Sequence, residues 1–439
     1  MKMHIKHLKT ILALTVCVIS IATVLADELE PKPDAKYFEK FEPIKAPTYR
    51  GLYLKNGDTV AICGDSITEQ KMYSRILETY LTVCYPNLKL NVRQFGWSGE
   101  TAQGFLRRMT NDCLRFKPTL ATLCYGMNDF KYRPYDEPNA QWYKSNYTAV
   151  VRAFKSAGAR VIVGSPGCVG KVASWVKGNA GTVEDHNLSL CAFRNIDINI
   201  AKQENVRFAD VFWPMFVSSF YGKIQFGPGF ELSGKDGVHP GWAGHLVMAY
   251  CFLKAMGVDG EIGTISVDLQ HKKARASQGH QIQKFDGRTL TLTSYRYPFC
   301  AEDRPNKDDS IRAGMDLVTF NQEFNRFILK VNGVKSELVK ITWGNQSKVY
   351  SSAELTKGVN LANDFVVNPF LAQFKMVDEA VAAKQAFETK QIKELFHSPA
   401  AKTNMNNIVS TSEAERARLV KNIENAFVPI THTIIIDPI

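Results

Sequence analysis

The sequence predicts an α/β fold built on a three-layer, doubly wound parallel sheet, with a β-rich and helical extension at its C-terminal end. Two observations predict it. Between residues 55 and 256, short apolar runs alternate with longer stretches of helical periodicity, and strands separated by helices of that length pair in parallel through right-handed crossovers. Beyond Gly260 the alternation stops, and short strand-like runs joined by glycine or asparagine turns give way to amphipathic helices. The 439 residues exceed the usual size of one core, so two or three folded units are expected.

At the N-terminus, Lys2, Lys6 and Lys9 precede or flank an apolar stretch over 11–24 that ends in Val24-Leu25-Ala26. Residues 1–26 read as a cleavable secretory signal, which places the protein outside the cell or in a periplasm. A retained membrane anchor is the rival reading. The apolar stretch falls short of the ~20 residues a span needs and ends in small residues, so no stable membrane insertion is expected. Residues 27–54, charged and dotted with proline, read as an extended lead-in. In the unit over 55–256 the expected strands are 59–63, 88–95, 120–125, 160–165 and 206–211. The expected helices are 69–84, 101–116, 140–157, 187–204 and 241–256.

Residues 257–350 form a small β-rich region with strands at 289–297, 327–331 and 339–342, and 351–439 a helical one. There Asn368 supplies an N-cap and Pro369 the first helical position, with Phe370, Phe374, Val377 and Val381 on one face. This helix is expected to lie back across the sheet domain and bury Phe370 and Phe374 there. Residues 412–427 repeat the helical pattern, and a short apolar run over 434–436 ends the chain.

The net charge is +11, part of which leaves with the lysines of the leader. No run of five or more like charges occurs, so the basic residues describe a solvated surface and exclude a nucleic-acid stripe. Of the nine cysteines, Cys17 lies in the leader. Export permits disulfides; Cys63 and Cys124 fall in apolar strands and are expected as buried thiols, whereas Cys168 and Cys191 bracket a loop-like insert and are expected to pair.

The chemistry lies in three short segments. Gly64-Asp65-Ser66 follows the first expected strand and opens a helix, where unpaired N–H groups face incoming negative charge. A serine hydroxyl becomes a nucleophile when an imidazole takes its proton and a carboxylate fixes the ring tautomer. Asp236 and His239, three residues apart in one loop, fit those two parts. Asn128, after the third strand in Gly126-Met127-Asn128-Asp129, offers an amide to an oxyanion. Gly99, in Trp97-Ser98-Gly99-Glu100, offers an N–H with no side chain to block approach, with Gly96 as an alternative. With the Ser66 N–H these make three donors.

In their order, these blocks resemble the SGNH, or GDSL-type, hydrolases over about residues 55–256. The resemblance implies a flavodoxin-like α/β/α fold, Ser66 as nucleophile, His239 as base, Asp236 as its orienting acid and an oxyanion hole from Ser66, Gly99 and Asn128. The run Gly-Asp-Ser-Ile-Thr matches the shorter bacterial esterase pattern and disfavours a long-chain lipase. The family pattern does not account for residues 257–439.

The expected function is therefore a secreted serine carboxylic-ester hydrolase working through an acyl-serine intermediate without a cofactor. Its expected substrates are small-molecule or glycan esters carrying acetyl or other short acyl groups. A lysophospholipase or thioesterase, and a glycan-binding protein with a decayed triad, are the rivals. Trp97, Tyr125, Phe130 and Trp242 are candidate substrate contacts. In the loop Phe130-Lys131-Tyr132-Arg133-Pro134-Tyr135-Asp136, aromatic rings either stack on sugars or cover the neighbouring helix. His245 is expected as an ordinary helical residue. No metal site is expected, since paired-cysteine motifs and His-x-x-x-His helices are absent from the sequence. Phe226-Gly227-Pro228-Gly229-Phe230 reads as a mobile surface loop near His239.

Overall fold

The computed structural model describes residues 28–178, 180–302 and 307–439. The expected leader, 1–26, lies outside the described residues; among them no helix is long and apolar enough to cross a membrane. The core sheet consists of β1 (Thr59–Gly64), β2 (Asn91–Gln94), β3 (Leu120–Cys124), β4 (Arg160–Gly164) and β5 (Arg207–Ala209) in the order β2-β1-β3-β4-β5. Every pairing is parallel. That is the flavodoxin-like order, and the strand order reverses between β1 and β3, where a crevice opens beyond the strand ends.

Helices α1 (Ser66–Glu69), α2 (Tyr73–Cys84), α3 (Ala102–Asp112), α4 (Glu137–Ser156), α5 (Val183–Glu204), α6 (Phe212–Phe226) and α7 (Trp242–Met256) connect and cover these strands. The neighbours α3, α4 and α5 form one layer and α2 and α7 the other. The expected helix 69–84 is thus two helices, broken at Lys71, whose φ is +56°. Helix α6 escaped the sequence reading: most of it is apolar, so it lacks the one-sided periodicity that marks a surface helix. It covers the lead-in, where Phe38 and Phe41 are buried against Phe216.

The extension builds two further sheets from β6 (Glu261–Asp268), β7 (Lys273–Ala276), β8 (His280–Phe285), β9 (Thr289–Ser294), β10 (Arg326–Asn332), β11 (Leu338–Trp343), β12 (Gln346–Ser351), β13 (Val359–Asn360) and β14 (Ile430–Pro438). Their orders are β13-β10-β6-β7 and β12-β11-β14-β9-β8. The terminal strand β14 therefore lies at the centre of the second sheet, between strands contributed more than ninety residues earlier in the chain.

The long helix Leu371–Lys390 does rest on the α/β unit, against α2 and β2, but through polar groups. Lys384, Glu388 and Arg416 are buried there with Glu78 of α2. Lys384 Nζ meets Glu388 at 2.7 Å and Glu78 at 3.0 Å, and Arg416 Nε meets the same Glu388 oxygen at 2.7 Å. These side chains also complete the outer edge of β2. The Val92 carbonyl accepts from Lys384 at 2.6 Å and Arg416 at 2.8 Å, and the Gln94 N–H donates to Glu388 at 3.1 Å. An open strand edge is thereby closed by charged groups.

Three expectations need correction here. The helix begins at Leu371, because Asn368 Oδ1 accepts the Phe370 N–H at 3.0 Å and forms a turn that precedes it. Phe370 and Phe374 are buried among Tyr297, Trp343, His432 and Phe299 of the extension's own core. Cys168 and Cys191 are both buried free thiols: Cys168 faces Ser233 at 3.4 Å, whereas Cys191 sits on α5 near Arg194 and Asp210.

Candidate active site

Ser66, Gly99 and Asn128 each follow a strand, and β1, β2 and β3 are adjacent, so the three residues share one end of the sheet. Ser66 is the first residue of α1. Asp65 caps that helix by accepting the Ile67 N–H at 3.0 Å. The Ser66 N–H, at the first helical position, has no intrahelical carbonyl to meet.

The loop before α7 brings the other two groups. Gly234 and Gly237 both hold left-handed φ, +78° and +82°. A Cβ on Gly234 would lie 1.8 Å from the His239 carbonyl oxygen, and one on Gly237 would lie 2.7 Å from Lys171 N, so only glycine permits this close fold. Within it, Asp236 Oδ1 accepts the Val238 and His239 N–H groups at 2.9 Å each. Its Oδ2 accepts from His239 Nδ1 at 2.7 Å. The ring proton thus sits on Nδ1, and Nε2 is free to accept the Ser66 hydroxyl at 2.8 Å. Burial raises the Asp236 carboxyl, but the bonds from His239 and Val238 outweigh it and hold the group below the usual carboxylate range. It therefore stays anionic beside the imidazole.

Gly99 has φ +72°, is exposed, and has nothing within 4 Å of where a Cβ would stand. Gly96 differs: its N–H already donates to Gln94 Oε1 at 2.8 Å. Asn128 is partly buried; one amide hydrogen reaches the Glu100 carbonyl at 3.0 Å and its Oδ1 accepts from Tyr132 at 3.3 Å. The second amide hydrogen remains for another acceptor. Together these groups can deprotonate a hydroxyl and surround the negative charge that its attack on a carbonyl creates.

Two candidate substrate contacts are overturned. Tyr125 is fully buried, stacked on Phe105 with its hydroxyl on Glu100 at 3.1 Å. Phe130 is buried against Tyr132 and His186. Both rings are enclosed by the core and cannot meet a ligand. Trp242 stands over Arg75 of α2 at 5.7 Å, and Trp97 over Arg108 at 4.9 Å. Arg133 and Asp136 pair with each other at 2.9 Å while Asp136 caps α4. The segment 226–230 is the turn that ends α6, with Phe230 buried against Phe226. His245 is buried, accepts the Tyr73 N–H at 3.2 Å and is pushed down to about 3 by burial.

The sequence reading missed Trp175. Its indole is 45% exposed, lies 5.8 Å from the His239 ring and touches Tyr132 edge-on at 6.2 Å. It sits in an irregular loop after β4, where no periodicity marks its position.

Residues 62–247 match the GDSL-like lipase/acylhydrolase family. Particular relatives are more distant. The acetylxylan esterase of Geobacillus stearothermophilus is 24% identical over 217 residues, 46% of this chain and 92% of that relative. A crystal structure of that esterase matches with 23% identity over 47% of this chain and 97% of its own, at a TM-score of 0.39. A gut microbial diltiazem-metabolizing enzyme shares the fold across 90% of this chain and 100% of its own, at 22% identity and a TM-score of 0.72. That shared fold includes the extension as well as the hydrolase unit.

Proposed function

We propose that the protein is a serine carboxylic-ester hydrolase that removes acetyl or other short acyl groups from glycans. The observation that carries this reading is the continuous chain from Ser66 Oγ through His239 to Asp236, at 2.8 and 2.7 Å. Ser66 gives its proton to His239 Nε2 and attacks the ester carbonyl. The Ser66 and Gly99 N–H groups and the Asn128 amide receive the oxyanion, and Asp236 supports the imidazolium. The leaving alcohol takes the proton from His239. A water activated by the same ring then releases the acid from the acyl-serine.

The acyl acceptor follows from weaker but convergent support: the acetylxylan esterase relative, and the exposed face of Trp175 beside His239, which suits stacking on a sugar ring. Release of acetate from a panel of acetylated glycans, with Ser66→Ala as control, tests the proposal; release that persists in the control refutes it. A p-nitrophenyl ester series tests the acyl group, since preference for long chains would favour the lysophospholipase reading. Export is part of the same proposal. N-terminal sequencing of the mature protein is expected to begin at Asp27.

A further inference from the structure

The loop bearing Gly99 is held from two sides, and one of them belongs to the extension. Gly96 passes so close to α1 that a Cβ would lie 2.3 Å from the Glu69 nitrogen. Glu69, at the end of α1, accepts the Ser98 N–H on one carboxylate oxygen. Both of its oxygens also meet Lys393 Nζ, at 2.7 and 2.9 Å. Lys393 lies in the π-helical turn Gln391–Leu395 that directly follows the helix Leu371–Lys390, and such widened turns redirect side chains at functional sites. Its ammonium also stands 5.3 Å from the Trp97 ring, which His397 meets edge-on at 5.3 Å. Burial alone would raise the Glu69 carboxyl, but Lys393 and Ser98 hold it below its ordinary value. Glu69 is therefore anionic at neutral pH.

We propose that Lys393 is a positioning residue for ester hydrolysis: through Glu69 it fixes the Ser98 N–H and so the aim of the adjoining Gly99 N–H. The inference rests on the assignment of Ser66 and Gly99 given above. Ser98 and Gly99 are exposed, and the left-handed Gly99 gives the turn freedom to rotate unless its neighbour is pinned. Glu69 is held beside Ser98 by Lys393, which meets both of its carboxylate oxygens. An oxyanion donor acts in the transition state, so its misplacement lowers kcat and leaves KM nearly unchanged.

The test is steady-state hydrolysis of p-nitrophenyl acetate by the full chain. Lys393→Met is expected to lower kcat by ~10-fold or more with KM within about twofold, and Lys393→Arg to restore most of it. Glu69→Gln is expected to fall in the same direction. The double variant should be no worse than the poorer single, because both act on one bond. Lys375→Met, which removes a surface pair with Glu302, is expected to leave both constants unchanged. Wild-type kcat in Lys393→Met, or losses that multiply in the double variant, would overturn the proposal. Should Lys393→Met lose its folded circular dichroism, an unchanged kcat in Glu69→Gln overturns it equally. Hydrolysis that survives Ser66→Ala refutes the assignment of the site instead, so the two failures are distinct.

Discussion

Asn128 owes its setting to the residue beside it. Asp129 is buried, and its two oxygens accept the Ala102 N–H at 2.9 Å and the Gly126 N–H at 3.0 Å, tying the turn that carries Asn128 to the start of α3. Burial pushes its carboxyl up to about 7 against the pull of those bonds. Asp129→Asn would set a donor against one of the N–H groups. It is expected to cost ~1–3 kcal/mol in denaturant unfolding and to lower kcat. Asn128→Ala removes the amide itself and is expected to lower kcat by roughly 10²–10³-fold, as initial rates will read directly.

In the extension, Trp343 Nε1 donates to His432 Nδ1 at 3.0 Å. His432 Nε2 then donates to Ser294 at 2.9 Å, Ser294 to His280 Nδ1 at 2.8 Å, and His280 Nε2 to the Ile262 carbonyl at 2.9 Å. Every proton in this buried relay is committed, and both imidazoles must stay neutral. Burial lowers His280, and burial with the His280 charge lowers His432 to about 3. Since an unfolded histidine titrates near ~6.5, the unfolded chain binds protons that the folded one refuses as pH falls below that value. The stability advantage of the wild type over His432→Gln is expected to shrink by roughly 2 kcal/mol between pH 6.5 and pH 5, measured as paired unfolding free energies.

At the scale of elements, what was legible follows from locality. The five strands and the Ser66, Asp236 and His239 segments each announce themselves within a few residues, by an apolar run or a turn that only certain residues permit. Elements defined by distant partners did not. Nothing near β2 signals that Lys384, Glu388 and Arg416 close its edge, and nothing in 430–438 signals a central strand. Tyr125 and Phe130 misled because a ring next to a catalytic loop reads alike in sequence whether it faces inward or outward. Trp175 was missed for the same reason in reverse. The polar dock is also the element most sensitive to single changes. Lys384→Ala leaves Glu78 buried without its cation and Glu388 with Arg416 but no lysine, and is expected to destabilise by ~3–5 kcal/mol, read as a fall in the denaturant midpoint.

At the scale of the whole molecule, the hydrolase unit and the extension share both a core boundary and a working part. Ending the chain near residue 257 would remove the partners of Glu78 and Arg93 as well as Lys393. Such a truncation is expected to be insoluble or unfolded by circular dichroism; a soluble and fully active one would contradict this account. The shared fold of the gut microbial enzyme, which spans the extension, is consistent with the two parts forming one architecture.

The sealed rim of β2 has a counterpart at the opposite border, where the Phe208 N–H donates to the Tyr49 hydroxyl at 2.7 Å. A foreign polypeptide seeking to lengthen the central sheet therefore meets plugs at both margins, and fibrillar growth by that route must wait until the terminal helices peel away. Thioflavin-positive aggregates should then appear in Lys384→Ala well before they appear in the wild type under the same warming.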